Sequence, residues 1–282
     1  MKVFNKYFSQ LYLGENGIWY NRNRTATSYP SEGSDFCYSI EDESFWFQHR
    51  NNCIISILNR FLKRNKSILF DIGGGNGYVS KAIQNEGYIT VLVEPSEQAT
   101  KNAINRGIKY IACTTIDDID TTDRYLPNVG LFDVIEHIKE DKDFLCKISE
   151  MMEDNGLLFI TVPAYDQLWS HEDVIAGHYR RYNRKKIESL LIQSGYHIEY
   201  FSYFFEFLPI PIFLFRTVPS FLNKNNITYD DKKSRDQHSP RFLFLSRFLN
   251  FILDREVSIL SNLGNLKFGG SCIVVARKIP RI

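Results

Sequence analysis

The sequence has no CxxC pair, no apolar run long enough to cross a bilayer and almost no excess of charge. Each shortage excludes something. The five cysteines, Cys37, Cys53, Cys113, Cys146 and Cys272, are odd in number and far apart, which excludes a disulfide framework or a thiolate zinc knuckle and fits reduced thiols in a cytoplasmic protein. With 34 basic and 33 acidic residues the net charge is +1, so no strong field draws the chain to nucleic acid. The N-terminal MKVFNKYFSQLYLGENG lacks an apolar core followed by a cleavage site, so secretion and membrane spanning are both disfavoured. What the chain does have is 44% hydrophobic residues over 282 positions, enough for one large α/β domain with additions.

The organising stretch is Ile68 to Ser96, ILFDIGGGNGYVSKAIQNEGYITVLVEPS. An apolar run leads into Asp71, and Gly73, Gly74, Gly75 and Gly77 crowd a turn that opens a helix carrying Val79, Ala82 and Ile83 on one face. Gly87 closes that helix, Tyr88 to Val93 forms a second buried strand, and Glu94 stands at its tip, where a carboxylate can accept both hydroxyls of a ribose. A dinucleotide fold needs GxGxxG, yet the third glycine position counted from Gly73 and Gly75 falls on Tyr78. A pyrophosphate is therefore argued against. An acidic residue before the turn suits a cationic ligand better.

Asp71-Ile72-Gly73-Gly74-Gly75-Asn76-Gly77 resembles motif I of the class I S-adenosylmethionine-dependent methyltransferases. That resemblance implies a Rossmann-like doubly wound, seven-stranded, mostly parallel sheet with S-adenosyl-L-methionine as cofactor. Asp71, Gly73, Gly74, Gly75, Gly77, Glu94 and Pro95 would hold the donor, joined by Asp133 and Val134 after strand four and by one of Thr115, Ile116 or Asp117 near the adenine.

The remaining pattern continues the strand and helix alternation. A helix from Ser96 to Gly107, strands at Lys109 to Cys113 and Val129 to Val134, a helix from Asp141 to Met152 stopped by Gly156, and a strand at Leu157 to Val162 follow in order. Asn183 to Gly195 is a capped helix, and Tyr196 to Tyr203 and Ser271 to Lys278 are strands six and seven. Residues 1 to about 40 read as an irregular arm or lid, and Phe45 to Leu58 as a helix with an aromatic start. The expected organisation is an arm and cap over 1–66, a donor-binding core over 67–203, an apolar helical insert over 204–268 and a final core strand over 269–282. The insert, with FFEFLPIPIFLF and PRFLFLSRFLNFILDREVSIL, reads as an internal cap, a homodimer interface or a peripheral membrane contact through 204–262.

Acceptor chemistry is sought at the strand tips. His137, in Asp133-Val134-Ile135-Glu136-His137, is the expected base by location, with His171 and His178 as alternatives. Trp169, His171, His178, Arg180 and Arg181 crowd the loop after strand five and suit a polar or anionic acceptor. DVIEHI is similar to the segment of ubiquinone-pathway O-methyltransferases, where an acid, an acid and a histidine at the positions of Asp133, Glu136 and His137 are associated with a divalent metal. Two carboxylates and a histidine on a loop are more often hydrogen-bonded supports, so no metal is expected, with those three as the set if there is one. FWFQHR, VPAYDQLWSHED and GHYRRY look like methyltransferases that accompany bacterial surface-glycan and lipid-linked sugar synthesis. After strand four, Asp133-Val134-Ile135-Glu136 stands in place of the Asn or Asp, two prolines and aromatic that exocyclic-nitrogen methyltransferases commonly carry, which disfavours that chemistry. The reading is O-methylation of a small molecule or a sugar- or lipid-linked intermediate by direct displacement, in the cytoplasm or at a membrane periphery. The alternative is a non-catalytic scaffold or ligand-binding protein that keeps the fold.

Overall fold

The computed structural model describes residues 7, 11–21, 31–119, 125–222 and 243–281. The charged stretch Tyr229 to His238 and the end of the acidic loop after Asp117 lie outside them. The chain opens with β1 (Leu11–Leu13), β2 (Ile18–Asn21), α1 (Ser31–Glu41) and α2 (Phe45–Phe61). The alternating core is β3 (Ile68–Ile72), α3 (Tyr78–Asn85), β4 (Ile89–Val93), α4 (Glu97–Asn105), β5 (Ile111–Cys113), β6 (Leu126–Phe132), α5 (Asp141–Met151) and β7 (Met152–Pro163). It continues through α6 (His171–Ile175), α7 (Arg184–Gln193), β8 (Tyr196–Phe204), α8 (Pro209–Ile212), α9 (Val218–Leu222), α10 (Leu243–Ser261) and β9 (Ser271–Lys278).

One nine-stranded sheet results, in the order β1-β2-β5-β4-β3-β6-β7-β9-β8. Pairing is parallel from β2 through β7, and β1, β9 and β8 join antiparallel. The seven expected strands are all present, and the count of seven is corrected to nine by the hairpin β1–β2. Its buried Ile18, Trp19 and Tyr20 cover the edge of β5, which would otherwise expose unpaired backbone groups. Strands of three and four residues carry too little periodicity to read from sequence.

Alternation sorts the strand side chains onto two faces. Phe70, Leu158, Ile160 and Val274 pack with Leu145 and Ile148 of α5 and Ile187 and Leu191 of α7. Leu69, Phe159, Ile273 and Val275 face the other way, onto Ile54, Ile57 and Leu58 of α2, Ile83 of α3 and Leu253 and Leu260 of α10. With both faces covered, strands such as β3 and β7 must read as near-continuous apolar runs.

Two further readings need correction. The supposed irregular arm includes α1, whose helical state depends on docking against α4: Arg106 pairs with Glu41 and Asp42 at 2.8 Å each, and Asp35 accepts from Gln98 at 2.9 Å and Asn102 at 3.1 Å. Gly156 is not a helix stop but lies inside β7, where a Cβ would sit 2.7 Å from the carbonyl oxygen of Pro127, so the close approach of β6 demands glycine.

The insert is helical in α8, α9 and α10, with a π-helical stretch at Phe213–Thr217, and α10 is anchored by a buried carboxylate. Glu256, fully buried, accepts from His49 of α2 at 2.8 Å, from the backbone N–H of Phe205 at 2.9 Å and from that of Glu206 at 2.6 Å. Trp46 stacks on Phe205 beside it, with ring centroids 5.5 Å apart. Removing this carboxylate strands three donors in the core. Glu256→Ala is expected to destabilise the fold by about 3 kcal/mol in urea unfolding, whereas Arg255→Ala, which breaks the exposed pair with Glu206, is expected to cost roughly 1 kcal/mol or less.

Candidate active site

The strand order reverses between β3 and β6, and ligands in such sheets lie beyond the carboxyl ends of the strands at that point. Asp71, at the end of β3, is buried; its Oδ2 accepts from Ser80 Oγ in the first turn of α3 at 2.6 Å, and its Oδ1 has no hydrogen-bond partner. Burial, opposed by the Ser80 bond, raises its pKa to about 6. Gly74 follows under strict constraint, since a Cβ there would lie 2.2 Å from Leu92 Cδ1 and 2.7 Å from Asp71 Oδ2. At Gly75 the opposite holds: φ is +53° and a Cβ would meet no protein atom within 4 Å, because that side opens on the cavity.

The Gly75 N–H donates to Glu94 Oε2 at 3.0 Å, and the Ser96 N–H donates to Oε1 at 2.8 Å. The carboxylate at the tip of β4 therefore holds the glycine turn on one side and the start of α4 on the other. Burial raises its pKa to about 7, against the pull of those two backbone bonds.

The cavity beyond these tips has a volume of about 760 Å³, within the ~300–1,000 Å³ range typical of small-molecule sites. Asp71, Gly73, Gly74, Gly75, Glu94, Pro95, Thr115, Asp133, Val134 and His137 all line it. Gly77 does not; it caps α3 with φ +75°, its α-carbon turned toward Ala103 and Ile108. Cys37 and Glu41 of α1 and Phe47 and Arg50 of α2 close the cavity from above.

Arg50 is the residue the sequence reading passed over. Its guanidinium lies 5.2 Å from the Trp46 ring centroid and 5.4 Å from that of Phe47, and Nη1 pairs with Asp133 Oδ2. Thr161 Oγ1 donates to the other Asp133 oxygen at 2.9 Å. The aromatic run at 45–47 stood out by composition, but the pairing of residues 50 and 133 spans 83 positions and no local pattern announces it.

His137 lies in the single 3₁₀ turn Ile135–His137. Burial first, then the nearby His178, lowers its pKa to about 4, so its ring is neutral at physiological pH. His178 packs edge-to-face against it with centroids 4.7 Å apart, and His178 Nδ1 lies 2.9 Å from Asp173 Oδ1. Arg181 binds Asp173 through Nε at 2.8 Å and Nη2 at 2.9 Å and donates to the Ala164 carbonyl at 3.2 Å. Although burial opposes it, these bonds hold the Asp173 pKa down at about 2.

The residues expected to meet an acceptor are placed behind the His137 wall rather than on the cavity. Trp169 is half-buried after a 3₁₀ turn, His171 donates its N–H to Ser220 Oγ at 3.0 Å, and Arg180 pairs with Asp141 at 2.7 Å. Arg181 and His178 are tied to Asp173. Asp133 is engaged by Arg50 and Thr161, and the ligand-type atoms that cluster are those of Glu136, His137 and His178.

A parallel α/β fold with an acidic glycine turn and a carboxylate at the second strand tip defines the class of nucleoside-binding sheet that serves methyl transfer. The methyltransferase-domain family Methyltransf_23 matches residues 46–200, more than half of the chain, and the chain belongs to that family. Its cofactor is S-adenosylmethionine. The residues present fit this group: the orphaned Asp71 oxygen and the open side of Gly75 face a cavity whose carboxylates suit a sulfonium cation. No curated protein sequence matches significantly. Among solved structures the chain is similar to a chain of the Haloferax volcanii complex of the Trm112 methyltransferase activator with a methyltransferase, at 12% identity, 89% of this chain, 95% of that one and TM-score 0.54. An S-adenosylmethionine-dependent methyltransferase of Clostridium acetobutylicum gives 12%, 88%, 98% and 0.52. A Haemonchus contortus phosphoethanolamine N-methyltransferase, with phosphomonomethylethanolamine and S-adenosylhomocysteine bound, gives 19%, 90%, 58% and 0.53. At these identities the likeness is one of fold. Among the described residues no helix is long and apolar enough to cross a membrane.

A ribose-binding role for Glu94 predicts pH-dependent donor binding, because the carboxylate must be ionised to accept two hydroxyls and burial raises its pKa to about 7. Calorimetry with S-adenosylhomocysteine is expected to show affinity falling as pH drops through about 7, and Glu94→Gln to bind about 10- to 100-fold more weakly with a flat pH profile. The stability sign is opposite: the folded state holds a proton that the unfolded state releases near 4.5, so wild type loses stability relative to Glu94→Gln as pH rises from about 4.5 through about 7.

Proposed function

We propose that the protein transfers the methyl group of S-adenosylmethionine to a hydroxyl of a small molecule or of a sugar- or lipid-linked intermediate. The observation that carries this reading is the continuity of one cavity from the Asp71–Gly75 turn and Glu94 to the His137 wall, so that donor and acceptor can meet without a covalent enzyme intermediate. Methyl transfer from a sulfonium is a direct displacement. What the chain must supply is alignment, exclusion of water and a place for the hydroxyl proton. Asp71, the glycine turn and Glu94 align the donor, while α1 and α2 keep water from the reacting end.

His137 faces that end as a neutral imidazole, which does not repel the sulfonium and has a lone pair for the departing proton. Arg50 positions Asp133 between the two halves of the cavity. Exposed Ile210, Phe213, Leu214 and Phe215, in and after α8, favour an amphiphilic acceptor over a freely diffusing polar one. The lack of the two-proline tip after β6 favours oxygen over an exocyclic nitrogen.

The reading is tested by incubating purified protein with methyl-labelled S-adenosylmethionine and extracts of the source cells, separated into aqueous and lipid fractions. Label in a product whose new bond withstands mild base supports ether formation; no transferred label, or label only in amines, sinks the reading. His137→Gln is expected to lower transfer by roughly 100-fold while leaving S-adenosylhomocysteine affinity within about twofold, since it lies outside the donor carboxylates.

A further inference from the structure

We infer that Glu136, His137 and His178 form a binding site for a divalent transition-metal cation of the zinc class, set in the wall of the cavity. Glu136 is fully buried, and neither of its side-chain oxygens is hydrogen-bonded to another residue. A carboxylate so placed carries a large desolvation cost, which the charges of Arg50 and Arg181 offset only in part, and such orphans call for an unseen partner. The next residue, His137, sits on the same 3₁₀ turn, and His178 comes from the loop between α6 and α7. One ligand atom from each of the three lies within 4.8 Å of the others, and Glu136, His137 and His178 are the group of this kind found among the described residues.

The surroundings of both imidazoles point the same way. His178 Nδ1 is 2.9 Å from Asp173 Oδ1, and Asp173 is itself locked by two bonds from Arg181. That carboxylate fixes the proton on Nδ1 and leaves Nε2 as a lone-pair donor, the carboxylate–histidine arrangement that orients metal-bound imidazoles. The Ala176–Gly177 backbone lies beside the His137 ring, and a bound cation would take the ring lone pair that serves as base in the metal-free protein. A tetrahedral zinc with ligand bonds of ~2.1 Å needs ligand atoms roughly 3.4 Å apart, so a bound ion would draw these three atoms together from their present separation of up to 4.8 Å.

Two imidazole nitrogens and one carboxylate oxygen suit zinc or cobalt rather than magnesium or calcium, which prefer an all-oxygen shell. Three protein ligands leave a coordination position open. Of the three residues only His137 also lines the cavity, so that position would be reached from its side. Asp133 is not a member, because Arg50 and Thr161 already occupy both its oxygens.

The test uses the full chain, stripped with a chelator and titrated with Co²⁺, reading the visible absorption band of the bound ion and its stoichiometry. One equivalent per chain is expected, displaced by Zn²⁺. Glu136→Gln and His178→Gln are each expected to weaken cobalt binding at least tenfold, and Asp133→Asn to leave it within about twofold. Far-UV circular dichroism establishes that each variant is folded, and S-adenosylhomocysteine affinity does so again for Glu136→Gln and His178→Gln. Should Glu136→Gln not fold, His178→Gln carries the test, since Asp173 stays paired with Arg181. No band in the wild type, a band insensitive to His178→Gln, or loss through Asp133→Asn alone would each overturn the site.

Discussion

A carboxylate buried at the end of β4 is the constraint on which the donor side of this molecule depends. Glu94 is held by the N–H groups of Gly75 and Ser96, one on the turn before α3 and one at the start of α4. Through it the two helix starts flanking the cavity are fixed to one strand tip. The turn can reach it only because Gly74 has no side chain to strike Leu92 and because Gly75 adopts a left-handed backbone. Glu94 thus serves the fold with both its oxygens. Burial raises its pKa against the pull of those two backbone bonds.

A second tie brings the cover down onto the core. Arg50 reaches from α2 to Asp133, and one residue earlier His49 reaches from α2 to Glu256 of α10. Adjacent side chains on one helix therefore connect the reacting end of the cavity with the insert. Trp46 contributes to both, lying against Arg50 and stacking on Phe205. The apolar insert is in this way mechanically continuous with the wall that faces an acceptor, although none of its described residues lines the cavity.

The donor half was legible because it is local. Asp71, the glycines and Glu94 lie within 24 consecutive residues, and glycine spacing, strand length and helix period are all properties of short windows. Everything that depends on distant pairing was hidden. Arg50 acquires meaning only beside Asp133, and His178 only beside His137, 41 positions away across a loop whose path composition does not dictate. The crowded polar residues at 169–182 were visible as a cluster, yet their direction was not: Arg181 and Asp173 bind each other inside the loop instead of facing the cavity. Short elements escaped for a different reason. β1, β2 and α1 have little intrinsic preference and exist through docking on β5 and α4.

The position of β9 between β7 and β8 sets an order on synthesis. Residues 271–278 pair with both neighbours along nearly their whole length, so β8 has no place in the sheet until they leave the ribosome. The partner of His49 on α10 also emerges late, 207 residues after His49. A nascent chain would hold the glycine turn and β3–β7 long before its cover could lock, with the apolar faces of α2 and β7 open in the interval. That half-built sheet is the species most exposed to aggregation, and the one on which a chaperone would act.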